Sequence, residues 1–347
     1  MTLREAIDRS GSVPADMLAR SFKAGRPPKV LCAIDLSSRS DAAVWRADAI
    51  ARKLGAQMFL LHVVDLAKSA RAIGRRRARA RLILDAHLRR LAPWGSDAQI
   101  AVRAGRPHET IAEVAIEWDA DLIVLGPYRR RLGDSFTGTT AERLVRKSER
   151  PVLVVNRESA GPYENVLLTS DLSRLSDGIA RVTKQLGLLE GSRASVVHAL
   201  QPQGGAMLHL AGVSESEVER FQRSLSQLAK QEIEAQLEGA GLNAARFSVF
   251  SPQTSPFRAI EQVAQRLGSD LVVIGSSRFP LLKRVFIGSV SNEVLRGIRH
   301  DVLLISPAVV QRARRRSTKV SHPSGRATQP QAIGFETSRD EHPTYSS

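Results

Sequence analysis

The chain has 347 residues, 42% hydrophobic and 25% charged, and its 51 Lys and Arg against 35 Asp and Glu leave a formal charge of +16 at pH 7. With the 24 glycines included, about half of it is apolar, which excludes a wholly disordered polymer, and the length suits about two domains. A single cysteine, Cys32, excludes an internal disulfide framework or a cysteine-cluster zinc site, and no run reaches the ~18 apolar residues of a membrane span.

Residues 1–27 form an extension with room for one short helix, and Arg4, Glu5, Asp8 and Arg9 stand where a secretory leader is apolar. A soluble cytoplasmic protein with no membrane partner is therefore expected. From Lys29 short β-branched runs alternate with longer stretches of helical period, which predicts strands at 29–34, 58–64, 98–103, 121–125 and 151–155. The run Leu-Ile-Val-Leu at 122–125 is apolar without alternation, as in a strand buried on both faces. Helices are predicted over 41–54 and 71–91. The second of these carries most of the charge excess: Lys68, Arg71, Arg75, Arg76, Arg77, Arg79, Arg81, Arg89 and Arg90 face only Asp85. Arg71, Arg75 and Arg79 form one row on it, with Ile73, Ala80, Leu84, Leu88 and Leu91 as the buried stripe. Such a row suits nucleic-acid phosphates. No aromatic residue interleaves it for base stacking, and a solvated face is the plainer reading.

Beyond residue 160 the pattern repeats. Lys29-Val-Leu-Cys-Ala-Ile-Asp35-Leu-Ser matches Asn165-Val-Leu-Leu-Thr-Ser-Asp171-Leu-Ser, Phe59-Leu-Leu-His62 matches Ser195-Val-Val-His198, and Asp121-Leu-Ile-Val-Leu-Gly126 matches Asp270-Leu-Val-Val-Ile-Gly275. Strands are predicted at 165–170, 194–199, 244–250, 270–274 and 301–305, a helix at 216–237, and a longer loop around 204–216. The chain is a tandem duplication, with units at 28–160 and 161–306. From Pro307 apolar periodicity fades and Arg, Ser, Thr and Pro accumulate, which predicts a disordered basic tail over 307–347. Strands alternating with helices make the fold α/β, two tandem open doubly wound parallel five-stranded sheets. Such sheets bind ligands beyond the carboxyl ends of their strands, where strand order reverses, and Asp35, Gly126, Asp171 and Gly275 each follow a predicted strand directly.

The glycines after the fourth strand are the sharpest motif. Gly275-Ser-Ser-Arg278 is followed by nine residues and then Gly288-Ser289-Val290-Ser291 at a predicted helix start. Glycine admits a close ligand, and a helix start presents free N–H groups to phosphate. Taken alone, the two glycines read first as a turn and a cap. In the first unit Gly126-Pro127-Tyr-Arg129 is followed by eight residues before Gly138-Thr139-Thr140, and Pro127 has no N–H to offer. Asp35 and Asp171 read equally as caps and as ligand-binding carboxylates. His62 and His198 read as core histidines at strand ends, and Cys32 as a small buried residue. No Gly-x-Ser-x-Gly elbow and no His-x-x-x-His pair occurs, which argues against a hydrolase of that type and against a metal site.

Taken together, Val30-Leu-Cys-Ala-Ile-Asp35-Leu-Ser, Leu60-Leu-His62-Val63-Val-Asp65, the glycine spacing and the closing Pro151-Val-Leu-Val-Val resemble the universal stress protein family over roughly 28–157 and 163–306. The resemblance implies a Rossmann-like fold of adenine-nucleotide-binding type and a role in the stress response. In the family's ATP-binding members adenine and ribose lie near the first-strand Asp and the residue after the second-strand His, with the phosphates on the glycine loop and the Gly-Ser turn. Carried over, this implicates Asp171, Ala199, Gly275, Arg278, Gly288, Ser289 and Val290 in the second unit, and Asp35, Val63, Gly126, Gly138, Thr139 and Thr140 in the first. Arg129 and Arg278 stand where the family's second glycine is, so a guanidinium there either pairs with phosphate or fills its space. The complete spacing favours nucleotide in the second unit. The resemblance also implies pairing of the last strands, 151–155 with 301–305, as an internal pseudo-dimer or between copies. The expectation is an ATP-binding regulatory module with no catalytic residues, slow ATP hydrolysis staying open, and Mg2+ only as part of the nucleotide complex. The alternatives are an interaction module without nucleotide and a nonspecific nucleic-acid binder acting through the 71–90 helix.

Overall fold

The computed structural model describes residues 26–66, 69–94, 98–127, 140–158, 161–200, 214–276 and 288–320. The first unit runs β1 (Lys29–Ala33), α1 (Asp41–Leu54), β2 (Gln57–Val64), α2 (Ala70–Leu91), β3 (Ala98–Ala104), α3 (Pro107–Glu117), β4 (Leu122–Leu125), α4 (Thr140–Lys147) and β5 (Val152–Val154). The second repeats it as β6 (Asn165–Thr169), α5 (Arg174–Gln185), β7 (Arg193–Val197), α6 (Glu215–Gly239), β8 (Phe247–Phe250), α7 (Pro256–Leu267), β9 (Leu271–Gly275), α8 (Ser289–Gly297) and β10 (Asp301–Ile305), followed by α9 (Pro307–Val320).

All ten strands join one sheet in the order β3-β2-β1-β4-β5-β10-β9-β6-β7-β8. Within each unit the strands are parallel, and their order reverses between β1 and β4 and again between β6 and β9. The two predicted five-stranded sheets are thus one, because β5 and β10 pair antiparallel with Leu303 opposite Leu153. Every residue of β4 and of β10 is buried, as strands covered on both faces require. One core layer lies under α1, α2, α5, α6 and α9, and includes Leu54, Leu84, Ile179, Ile233 and Val309. The other lies under α3, α4, α7 and α8, and includes Ile111, Leu144, Ala259 and Val294. Both layers run through the β5–β10 junction without interruption, since Leu153 and Leu303 belong to one and Val154 and Val302 to the other.

A polar node also joins the units. Asp301, at the start of β10, has no exposed surface. It accepts from the amides of Asn156 (2.8 Å) and Arg157 (2.9 Å) and from the Tyr163 hydroxyl (2.8 Å), and lies 3.4 Å from Arg46 Nε on α1. Arg46 stacks over the Tyr163 ring at 4.1 Å and donates to the Gly161 carbonyl. Burial holds the Asp301 carboxyl above its ordinary range despite these donors.

The predicted tail needs correction. Residues 307–320 are helical, because Val309, Val310 and Ala313 give that stretch an apolar face buried on α5. Gly178 makes the room: a Cβ there would fall on the Val310 isopropyl group. Arg312 pairs with Asp119 of the first unit at 2.6 Å, and Asp119 also takes Arg150 at 3.1 Å. Helix α9 therefore straps the second unit to the first. The short helix considered for the N-terminal extension and the remainder of the tail lie outside the described residues.

The core also holds a titratable group. His87, buried on α2 at 3.7 Å from Asp41, is held below its usual 6.5 by burial, which outweighs Asp41, and Arg90 adds to the depression. The neutral ring suits the fold, so its stabilisation is present above about pH 6.5 and is lost as pH falls through the depressed value, the unfolded chain taking the proton first. The thermal midpoint of His87→Gln should accordingly depend less on pH than that of the unaltered protein between about pH 7.5 and 5.

Candidate functional site

Each unit builds the carboxyl end of its first strand identically. After β1 the chain turns through Leu36 in the left-handed region, φ 61°, and Asp35 Oδ1 accepts from Ser37 N (3.0 Å), Ser37 Oγ (2.6 Å) and Ser40 Oγ (2.6 Å). After β6, Leu172 has φ 59°, and Asp171 Oδ1 accepts from Ser173 N (3.0 Å), Ser173 Oγ (2.5 Å) and Ser176 Oγ (2.9 Å). A leucine in this conformation is costly, and the Asp-Leu-Ser-x-x-Ser network holds it there. Burial pushes the Asp171 carboxyl up, but the donors from Ser173 and Ser176 outweigh it and hold the group below its ordinary value. It is an ionised acceptor at neutral pH, unsuited to acid catalysis. The serines were not singled out from the sequence. Their signal is there, since Asp35-Leu-Ser37-x-x-Ser40 and Asp171-Leu-Ser173-x-x-Ser176 repeat to the residue.

The strand-end histidines are also paired. His62 Nδ1 meets the Ile34 carbonyl at 2.8 Å and His198 Nδ1 the Ser170 carbonyl at 2.9 Å. A carbonyl only accepts, so each Nδ1 carries the proton and ties the second strand to the turn after the first. The glycines are explained by close approach: a Cβ on Gly126 would lie 3.2 Å from Ser40 Oγ, and one on Gly275 would lie 2.8 Å from Ile179 Cδ1. Ser291 Oγ donates to the Gly275 carbonyl at 2.8 Å, which fixes the start of α8 against β9.

Above β1, β2 and β4 lies a cleft of about 870 Å3. It gathers Asp35, Val63, Gly126 and Thr140, four of the first-unit positions implicated from the sequence. Gly138, Thr139 and Arg129 lie outside the described residues, as does Arg278. In the second unit Asp171, Ala199 and Gly275 follow their strands, and Gly288 caps α8 ahead of Ser289 and Val290. The cavity described there is about 20 Å3, lies beside Ser170, Ser176 and Gln236, and is lined by none of these six. Gln236 closes toward the turn, donating to the Leu172 carbonyl at 3.1 Å.

That cleft also has a charged wall which sequence reasoning did not place. Arg76 and Arg79 of α2, Arg106 before α3 and Arg143 of α4 line it, together with His108. The orientation of α2 follows from its buried residues Ala80, Leu84, His87 and Leu91, which turn Arg76, Arg79 and Ile83 toward the cleft. Ile73 and Leu88, expected in the buried stripe, are only half-buried. His108 is held below its ordinary value by burial first, and then by Arg143, with Lys147 and Arg106 adding to the effect and Glu109 opposing it.

Known proteins share this architecture. The model of the universal stress protein family matches residues 28–156 and 162–306. Universal stress protein MJ0577 of Methanocaldococcus jannaschii is 35% identical over 57 residues, a match that covers 16% of this chain and 35% of that protein, about a third of its length. A universal stress protein from Archaeoglobus fulgidus superposes with a TM-score of 0.60 at 18% identity, over 81% of this chain and 99% of that one. Protein PA1789 of Pseudomonas aeruginosa, described as functionally unknown, superposes with a TM-score of 0.59 at 16% identity, over 87% of this chain and 99% of that one. At these identities the two structures establish a shared fold.

Proposed function

The chain belongs to the universal stress protein family, as one polypeptide carrying two family units, and from that premise we propose that it is an adenine-nucleotide-binding regulatory module of the stress response and not an enzyme. The observation that carries this reading is the first-unit cleft. An open volume of about 870 Å3 at the point of strand reversal brings together Asp35, Val63, Gly126 and Thr140, the positions where the family resemblance puts adenine, ribose and phosphate. The residues fit such a ligand: Val63 offers an apolar side, Asp35 a fixed acceptor, and Gly126 a backbone that a ligand can approach. Bound nucleotide would act by favouring one arrangement of the surface around the cleft, and so change what that surface recruits.

A second location has its own support. The second unit keeps the nine-residue spacing to Gly288-Ser289, whereas Pro127 removes a donor from the first. Two measurements separate the readings. Denaturing the purified protein should release an adenine nucleotide, and equilibrium ATP binding to Gly126→Val should weaken at least about tenfold as the valine fills the approach to Ser40. A loss confined to Gly288→Val would move the nucleotide to the second unit. If neither preparation releases or binds nucleotide, the interaction-module reading replaces this one.

A further inference from the structure

We propose that the first-unit cleft holds the polyphosphate of its ligand on a wall of arginines, Arg76 and Arg79 of α2 with Arg106 and Arg143 opposite, so that binding needs no divalent cation. The proposal rests on the nucleotide reading of the same cleft and goes beyond it, in naming the group that meets the phosphates and the role that Mg2+ does not have.

Three observations support the wall. The first is placement. Residues 70–79 of α2 include none that is fully buried, only Ala72 and Ile73 being half-buried, yet this half of the helix is not a uniformly solvated face: Arg76 and Arg79 line the cleft with Ala80 and Ile83. The second is the balance of charge. Among the described residues four arginines line the cleft against two carboxylates, Asp35 and Asp65, and of the four Arg106 also lies 3.9 Å from Glu109. The first turns of α3 and α4 line the same space, which adds the positive ends of two helix dipoles. His108 is held below its ordinary value by burial first, and Arg143, Lys147 and Arg106 add to that effect against Glu109.

The third observation is the contrast within the chain. Setting Ala80 and Leu84 of α2 on Ala229 and Ile233 of α6, all four of them buried, puts Leu225 and Leu228 where Arg76 and Arg79 stand. The wall is a property of one unit and not of the repeat. It stands in the unit whose glycine loop has Pro127, where backbone donors to phosphate are fewer. A guanidinium presents a planar fork that bridges two phosphate oxygens, so arginines can replace both the missing amides and a bridging cation.

The test uses the full chain and two probes, inorganic tripolyphosphate and ATP, titrated by calorimetry in EDTA and again in excess Mg2+. Both probes should bind in EDTA, and Mg2+ should weaken binding about tenfold by neutralising the charge the arginines read. Arg76→Gln/Arg79→Gln should weaken both probes about 100-fold. Arg77→Gln/Arg81→Gln, which removes equal charge from parts of α2 that do not line the cleft, should change binding less than about threefold. No tripolyphosphate binding in EDTA, ATP binding only with Mg2+, or equal losses in the two double variants would each overturn the wall. If tripolyphosphate binds through Arg76 and Arg79 but ATP gains nothing over it, the wall stands and the adenine reading falls. ATP binding that ignores Arg76 and Arg79 would remove the wall and leave the adenine reading in place.

Discussion

Asp301→Ala is expected to lower the free energy of unfolding by about 3–5 kcal/mol, the cost of breaking a buried ion pair from one side. The loss does not come mainly from the attraction between Asp301 and Arg46. It comes from what stays behind: Arg46 is 2% exposed, and without the carboxylate its guanidinium keeps the Gly161 carbonyl and the Tyr163 ring as named partners. The amides of Asn156 and Arg157 also lose their acceptor in the turn that leaves β5. Asp301→Asn separates the contributions, because it keeps an acceptor for those amides while it removes the charge and the acceptor of the Tyr163 hydroxyl, and it should cost less than the alanine variant. Urea unfolding followed by circular dichroism and by tryptophan fluorescence measures both. A loss below about 1 kcal/mol for the alanine variant would show that the node is not what holds β5 and β10 in register.

The node also illustrates which parts of the fold were legible. Most strand positions came through within a residue or two, β3 being predicted at 98–103 and found at Ala98–Ala104, because β-branched runs bounded by glycine and proline carry their own signal; β8, predicted from 244, starts only at Phe247, since Ala244–Arg246 form a 3-10 turn capped by Asn243. Helix α1 was predicted and found at Asp41–Leu54. Pairing between distant segments carries no such local signal. The fusion of two sheets into one depends on Val152 to Val154 meeting Val302 to Leu304, and only the family resemblance suggested it. Arg46 sits in an ordinary amphipathic helix, and no periodicity tells that its head group is buried under a tyrosine from the other unit. The cleft was legible in part. Strand ends located Asp35 and Gly126, but the facing of Arg76 and Arg79 turns on which side of α2 is buried. His87, a polar residue in that buried side, is not among the apolar positions from which a helix rotation is read.

The helix read as a disordered tail supplies the other large effect. Gly178→Ala is expected to destabilise the protein by about 1–3 kcal/mol, the usual cost of overpacking a closed site. The sign runs against expectation, because Gly178 lies inside α5, where replacing glycine by alanine ordinarily stabilises a helix by about 1 kcal/mol. Packing opposes propensity here: the added methyl would collide with Val310, a β-branched side chain with little rotamer freedom to yield. Helix α9 would have to lift, which exposes Val309, Val310 and Ala313 and separates Arg312 from Asp119. Amides of 309–313 should then exchange faster with deuterium while those of β10 stay protected. Val310→Ala supplies the control. Alone it should cost about 1–2 kcal/mol for the lost methyls, whereas combined with Gly178→Ala it should restore part of the stability by clearing the space the new methyl needs. A coupling near zero in that double-mutant cycle, or a net gain from Gly178→Ala alone, would mean that α9 does not rest on Gly178.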